Sequence, residues 1–147
     1  MKRFLIIIMA MFLTGMLGAM SASAGTVQLP ESGQTLSYGT NDDGALHKGV
    51  AWPSPRFADN NNGTVTDSFT GLIWLKNANC IGLQWAVALK NIGSLTNGQC
   101  GLTDGSTAGQ WRLPNVKELE SLLNAGQVYT VAWLNTQGFS GVQADHC

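Results

Sequence analysis

The apolar and polar positions fall into four blocks. Phe4 to Leu17 is almost unbroken apolar sequence behind Lys2 and Arg3, and Ala22-Ser23-Ala24 follows as a small-x-small step. This pattern predicts a secretory signal over residues 1–24, removed on export. The apolar run is shorter than the ~20 residues of a spanning helix, so no stable membrane span is expected after cleavage. Residues 25–55 read as an irregular lead-in. Asn41-Asp42-Asp43-Gly44 predicts a turn and Pro53 and Pro55 favour extended backbone, with short strands expected at Thr26 to Leu29 and Thr35 to Tyr38.

From Arg56 the alternation sharpens into a β-meander. Strands are expected around Phe57-Ala58-Asp59, Thr64-Val65-Thr66-Asp67 and Leu72-Ile73-Trp74-Leu75, with Asn62-Gly63 as a hairpin turn of positive φ. In the third strand Ile73 and Leu75 point one way and Leu72 and Trp74 the other, so both faces are expected to be covered. In Gln84 to Leu95, Trp85, Ala88, Leu89 and Ile92 recur at helical spacing and give one apolar stripe. A second helix is expected from Asn115. Its side chain caps the first turn, Glu118 reaches back as a capping box, and Val116, Leu119, Leu122 and Leu123 mark a buried face ending before Gly126. Val131 to Leu134 reads as a short apolar stretch between turns.

Composition narrows the function classes. The 147 residues carry 8 Lys and Arg against 9 Asp and Glu. Removal of Lys2 and Arg3 with the signal makes the balance more acidic, and no basic stripe exists, so nucleic acid is not an expected partner. The remaining length, about 120 residues, fits one small domain. Cys80, Cys100 and Cys147 make an odd count in a chain expected in an oxidising compartment, either periplasmic or extracellular. Cys80 and Cys100 flank the first helix, and the disulfide is expected there. Cys147 is left free or paired between chains. A zinc site would need about four tightly spaced ligands, and only His47 and His146 stand beside the cysteines.

The runs GVAWPSPRFADNNNGTVTDSFTGLIWLKNANC and GQCGLTDGSTAGQWRLPNVKELESLL, in that order, closely resemble the Lcl C-terminal domain family of exported bacterial domains, among them the end of a collagen-like adhesin. The resemblance covers roughly residues 35 to 143, with the domain itself assigned to 56–147. It implies an α+β, C-type-lectin-like fold: two helices packed on a twisted antiparallel sheet, with long loops. The Trp-Arg-Leu-Pro step also resembles a segment of formylglycine-generating enzymes. Family members continue past Val142 and Gln143 into further strands. Against that pattern this chain is expected to be a C-terminally truncated member, either a non-functional fragment or one whose open sheet edge needs a partner.

Four candidate sites follow. Asp59, Asn61 and Asp67 offer oxygen ligands for calcium, but an EF-hand loop counted from Asp59 fails at Thr64 and Thr70, and the plainer reading is a hairpin turn. Asn62-Gly63-Thr64 also matches a glycosylation sequon. Trp111 could stack on a sugar and Arg112 could bind an anion, against a packing role for Trp111 and Leu113 with Arg112 paired locally. Trp52, Trp74, Trp85, Trp111 and Trp133 could form a glycan platform, against a role in the core of a small domain. No catalytic constellation is visible: no histidine is placed for a hydrolytic triad, and Asp104, Glu118 and Glu120 have no second carboxylate set opposite them. The expectation is a non-enzymatic exported binding module of adhesin type, for a glycan or a cell-surface partner, with no cofactor beyond a possible calcium. The alternative is an enzyme of the formylglycine-generating group.

Overall fold

A computed structural model describes residues 29–82 and 84–143. The expected signal (1–24), most of the strand expected at Thr26 to Leu29, and His146 and Cys147 lie outside these residues.

The meander forms as the alternation predicts. β1 (Phe57–Asp59), β2 (Thr64–Asp67) and β3 (Ile73–Leu75) make a three-stranded antiparallel sheet in sequence order. Phe57 pairs with Asp67 and Asp59 with Val65, and Val65 pairs in turn with Trp74. Phe57, Val65 and Trp74 therefore share one face. Phe57 and Val65 are buried there with Leu134 and Phe139, and Trp74, Leu122, Trp133 and Val142 pack around them. Phe57 meets Phe139 and Trp133 edge-on at ring centroid distances of 5.3 and 5.8 Å, a favoured aromatic geometry.

The β1–β2 loop differs from the expected two-residue turn. It runs over residues 60–63, and Asn61 (φ 57°) and Gly63 (φ 84°) take the positive φ rather than Asn62 and Gly63. The Asn62 carboxamide oxygen accepts from the backbone N–H and hydroxyl of Thr64, and the Asn62 carbonyl accepts from the Thr103 N–H. The sequon asparagine is thus spent on holding the hairpin tip against the 98–103 loop.

Four short helices surround the sheet: α1 (Asp43–Leu46), α2 (Trp85–Ile92), α3 (Val116–Glu120) and α4 (Thr130–Thr136). α1 falls where only a turn is expected, because the Asp42 carboxylate caps the N–H of Ala45. The same carboxylate accepts from the N–H groups of Tyr38 and Gly39. The strand expected at Thr35 to Tyr38 is absent: residues 35–37 are irregular and the chain bends at Tyr38 and Gly39 into that cap. α4 is also missed by periodicity, since seven residues are too few to show it, yet Leu134 is buried and Trp133 packs on Phe57 and Trp52.

Two packing expectations are overturned. The third strand is not covered on both faces, because Ile73 is 59% exposed. The face expected to be buried on α3 is open, with Val116 67%, Leu119 50% and Leu123 59% exposed, although Leu122 reaches the core. On α2, Ala88 is the buried residue and Trp85 and Leu89 are exposed. The sheet is met by α4 through Leu134 and Trp133, and Leu122, just past α3, packs beside them. What is present is a small α+β arrangement. Cys80 and Cys100 are bonded as expected, and the bond ties down the segment carrying α2.

Candidate functional site

The uncovered faces converge on one groove. Ala88 and Ile92 of α2, Leu119 of α3 and the residues of β3 all line a cavity of about 620 Å³. Its floor includes Trp74, Leu134 and Phe139. Its walls include Ile73, Ala88, Ile92, Leu119 and Leu122, and Trp111, Leu113 and Pro114 form a rim.

The rim is rigid for a local reason. The Asn115 carboxamide accepts from the Glu118 N–H at 3.0 Å, and the Asn115 N–H donates to Glu118 Oε2 at 2.7 Å. This is the capping box expected at α3. Arg112 then donates to both Glu118 oxygens, at 2.7 and 2.5 Å. The Arg112 guanidinium and the Asn115 N–H hold the Glu118 carboxyl at about 2, well below its ordinary range. Arg112 is 65% exposed but already paired, so its bidentate face is occupied by a neighbour rather than presented to a ligand. Trp111 and Leu113 are half-buried on the groove side. Asp104 also lines the groove. Its carboxylate accepts from the N–H and hydroxyl of Ser106, and no cation lies against it among the described residues.

β3 contributes its backbone as well. The Asp67 N–H donates to the Leu72 carbonyl and the Lys76 N–H to the Gly63 carbonyl, which marks these as bonded pairs. By antiparallel alternation Trp74 bonds Val65, while the N–H and C=O of Ile73 and Leu75 point outward. Ser140 closes the far end of this edge, donating to the Lys76 carbonyl and accepting from the Ala78 N–H. No described strand pairs with the edge before it.

The candidate calcium residues are not brought together. Asp59 and Asp67 stand at opposite ends of the β1–β2 pairing. The Asp59 carboxylate accepts from Lys76 and from the Asn61 N–H, and the Asp67 carboxylate is buried against Arg56, Thr70 and the Phe69 N–H. Among the described residues no cluster of three His, Cys, Asp or Glu side chains offers a metal seat. The five tryptophans are also split. Trp52 and Trp133 pack together, Trp74 and Trp111 border the groove, and Trp85 is 68% exposed on α2. They do not form one platform. Ile73, which borders the groove, carries no chemical signal in sequence; the alternation alone cannot say which segments will face it.

The profile of the Lcl C-terminal domain matches residues 63–146. The chain belongs to the Lcl C-terminal domain family. No curated protein and no solved structure matches it. The Lcl C-terminal match begins at the tip of the first hairpin, but the packing reaches further back. Trp52 stacks near Trp133, Arg56 pairs with Asp67, and the Ser32 carbonyl accepts from the Ala125 N–H. The lead-in is thus tied to the family segment by side chains and backbone. No helix of the described residues is long and apolar enough to cross a membrane.

Proposed function

We propose that this Lcl C-terminal domain is an exported binding module of adhesin type, C-type-lectin-like in fold, which holds a cell-surface partner in the groove between β3, α2 and α3. The observation carrying this reading is the convergence of three apolar surfaces on one cavity of about 620 Å³. Binding sites are concave and mostly apolar with a few placed polar groups, and Trp111 and Asp104 supply such groups at the rim. Of the two ligand classes a module of this family suggests, a protein fits better than a glycan. A sugar needs hydrogen-bonding groups along its ring, whereas the walls are aliphatic and Arg112 is committed to Glu118. Cys80 and Cys100 are spent on each other, and Cys147, the other cysteine a formylglycine-type enzyme could use, lies outside the described residues.

The test is retention of the chain from Gly25 onward on a glycan array, a heparin column and immobilised extracellular-matrix proteins. A cooperative thermal melt first establishes that the protein is folded. Retention on protein, lost in Leu119→Asp, is the expected result. Folded protein that is retained by none of these surfaces overturns the reading.

A further inference from the structure

Two asparagines in the chain stand directly before glycine, Asn62 and Asn97. In such a pair the glycine nitrogen can close on the asparagine Cγ, because no Cβ shields it. The fold treats the two steps in opposite ways. The Asn62 Oδ1 accepts from the Thr64 N–H at 3.2 Å and from the Thr64 hydroxyl at 2.7 Å. The first of these bonds closes an Asx-turn. Its ring contains both Asn62 Cγ and the Gly63 nitrogen, so the carboxamide is folded back over the peptide that would attack it. Among the described residues no acceptor meets the Gly63 N–H or Asn62 Nδ2. Nucleophile and leaving group are both unengaged.

Asn97 is held the other way. Its Oδ1 accepts from the Gly105 N–H across the loop, and the Gly98 N–H donates to the Leu102 carbonyl at 2.8 Å. The side chain is drawn off its own peptide and the nitrogen is committed. Asn77 and Asn124 make the same turn as Asn62, accepting from the N–H groups of Asn79 and Gly126. Ala78 and Ala125 follow them, and a Cβ hinders each nitrogen. Thr64 adds chemistry to position. Addition to Cγ places negative charge on Oδ1, and donors already aimed at a developing oxyanion lower the barrier. The Thr64 hydroxyl itself accepts from Asn60 Nδ2 at 2.8 Å, which turns its proton towards Asn62, and Thr64 is 2% exposed.

We propose that Asn62 is a self-modifying site, at which the fold directs loss of the side-chain amide. The Gly63 nitrogen bonds to Asn62 Cγ, the bond from Cγ to Nδ2 breaks, and ammonia leaves with the proton the nitrogen gives up. Water then opens the succinimide at either carbonyl and leaves aspartate or isoaspartate. Water is consumed and ammonia released, with no oxidant or reductant. The isoaspartyl product routes the main chain through Cβ and Cγ. It displaces the Asn62 carbonyl, which accepts from the Thr103 N–H, and the Gly63 carbonyl, which accepts from the Lys76 N–H. Modification therefore unlatches the hairpin tip from the 98–103 loop, whatever the domain binds.

The experiment holds the folded chain from Gly25 in mildly alkaline buffer, beside a sample in urea. Peptide mapping by mass spectrometry follows amide loss at each asparagine. In the folded chain Asn62 should be lost about tenfold or more faster than Asn97, and in urea the two should age at similar rates. Thr64→Val should slow loss at Asn62 by about tenfold and leave Asn97 unchanged, and Thr64→Ser, which keeps the hydroxyl, should retain the rate. The comparison of Asn62 with Asn97 in the unmutated chain does not depend on the valine variant folding. Equal loss at the two positions in the folded chain, or loss at Asn97 first, overturns the site. A preference for Asn62 that persists unchanged in urea also overturns it, because the fold is then not its cause. A folded Thr64→Val chain that loses the Asn62 amide at the original rate overturns the part given to the hydroxyl.

Discussion

Arg56 lies bidentate on Asp67, with Nε to Oδ1 at 3.0 Å and Nη2 to Oδ2 at 2.9 Å, and both side chains are almost wholly buried. Nη2 also donates to the Ser121 carbonyl at 2.6 Å. One guanidinium thus joins β2 to Ser121 at the end of α3, 65 residues from Arg56 in sequence. Its flat faces lie over Trp52, at 4.4 Å, and Phe57, at 4.7 Å. Among the described residues Nη1 is buried without a partner, and Asp67 is the carboxylate paired with this charge. Breaking a buried pair by removing one charge strands the other in low dielectric. Asp67→Asn is expected to lower unfolding free energy by about 3–5 kcal/mol, a large share of what a small domain has. The double substitution Arg56→Met, Asp67→Leu should cost less than the single one. Urea unfolding of the three proteins checks this, and equal loss in the single and double variants would contradict it.

Acid should destabilise the fold from the carboxylate side. Glu118 has a folded value of about 2 against an ordinary 4.5, set first by Arg112 and then by the Asn115 N–H. Burial pushes the Asp67 carboxyl up, but the bonds from Arg56, Thr70 and the Phe69 N–H outweigh it and leave it lowered. A depressed carboxyl binds fewer protons folded than unfolded, so its contribution is complete above the unfolded value and is lost as pH falls towards the folded one. The melting temperature should therefore drop between pH about 4.5 and about 2, and Glu118→Gln should drop less steeply across that window. Parallel curves for the two proteins would remove Glu118 from the account.

The Cys80–Cys100 bond closes a loop of sequence separation 20 around α2, a helix with little else against it. Reduction, or Cys80→Ser with Cys100→Ser, should cost about 3 kcal/mol. Exchange should rise first at amides of α2, with the β1–β2 hairpin still protected. Uniform loss of protection would show that α2 is not a separately held wall.

Gly63 holds the hairpin tip at φ 84°, and a Cβ there would lie 2.3 Å from the Gly101 carbonyl oxygen. Gly63→Ala combines a left-handed backbone with a clash against main chain, and should cost at least about 1–3 kcal/mol. Gly71 has similar φ but open space around its Cβ position, so Gly71→Ala should cost less. Thermal melts of the pair separate the steric part from the conformational part.

Hydrogen bonds between near neighbours were readable in the residues themselves. Asn115 and Glu118 stand three apart, so the capping box follows from spacing alone. The meander was legible because hairpin strands find partners a few residues away, and the disulfide because its two cysteines bracket one helix. Family membership rests on the same ordered local motifs. α1 and α4 were not legible, being shorter than the window in which a 3.6-residue period shows.

What tertiary structure decided was which apolar surface is covered. Periodicity states that α2, α3 and β3 have apolar faces; it cannot state that another segment lies on them, because burial is a property of two surfaces and the sequence describes one at a time. Arg56 and Asp67 show the same limit. Neither residue type marks a buried partner, and only the approach of β1, β2 and α3 removes both from water. The groove likewise exists only in three dimensions: Ala88 and Ile92 of α2, Leu119 of α3, the Trp111-to-Pro114 segment and β3 are distant in sequence and meet only in the fold.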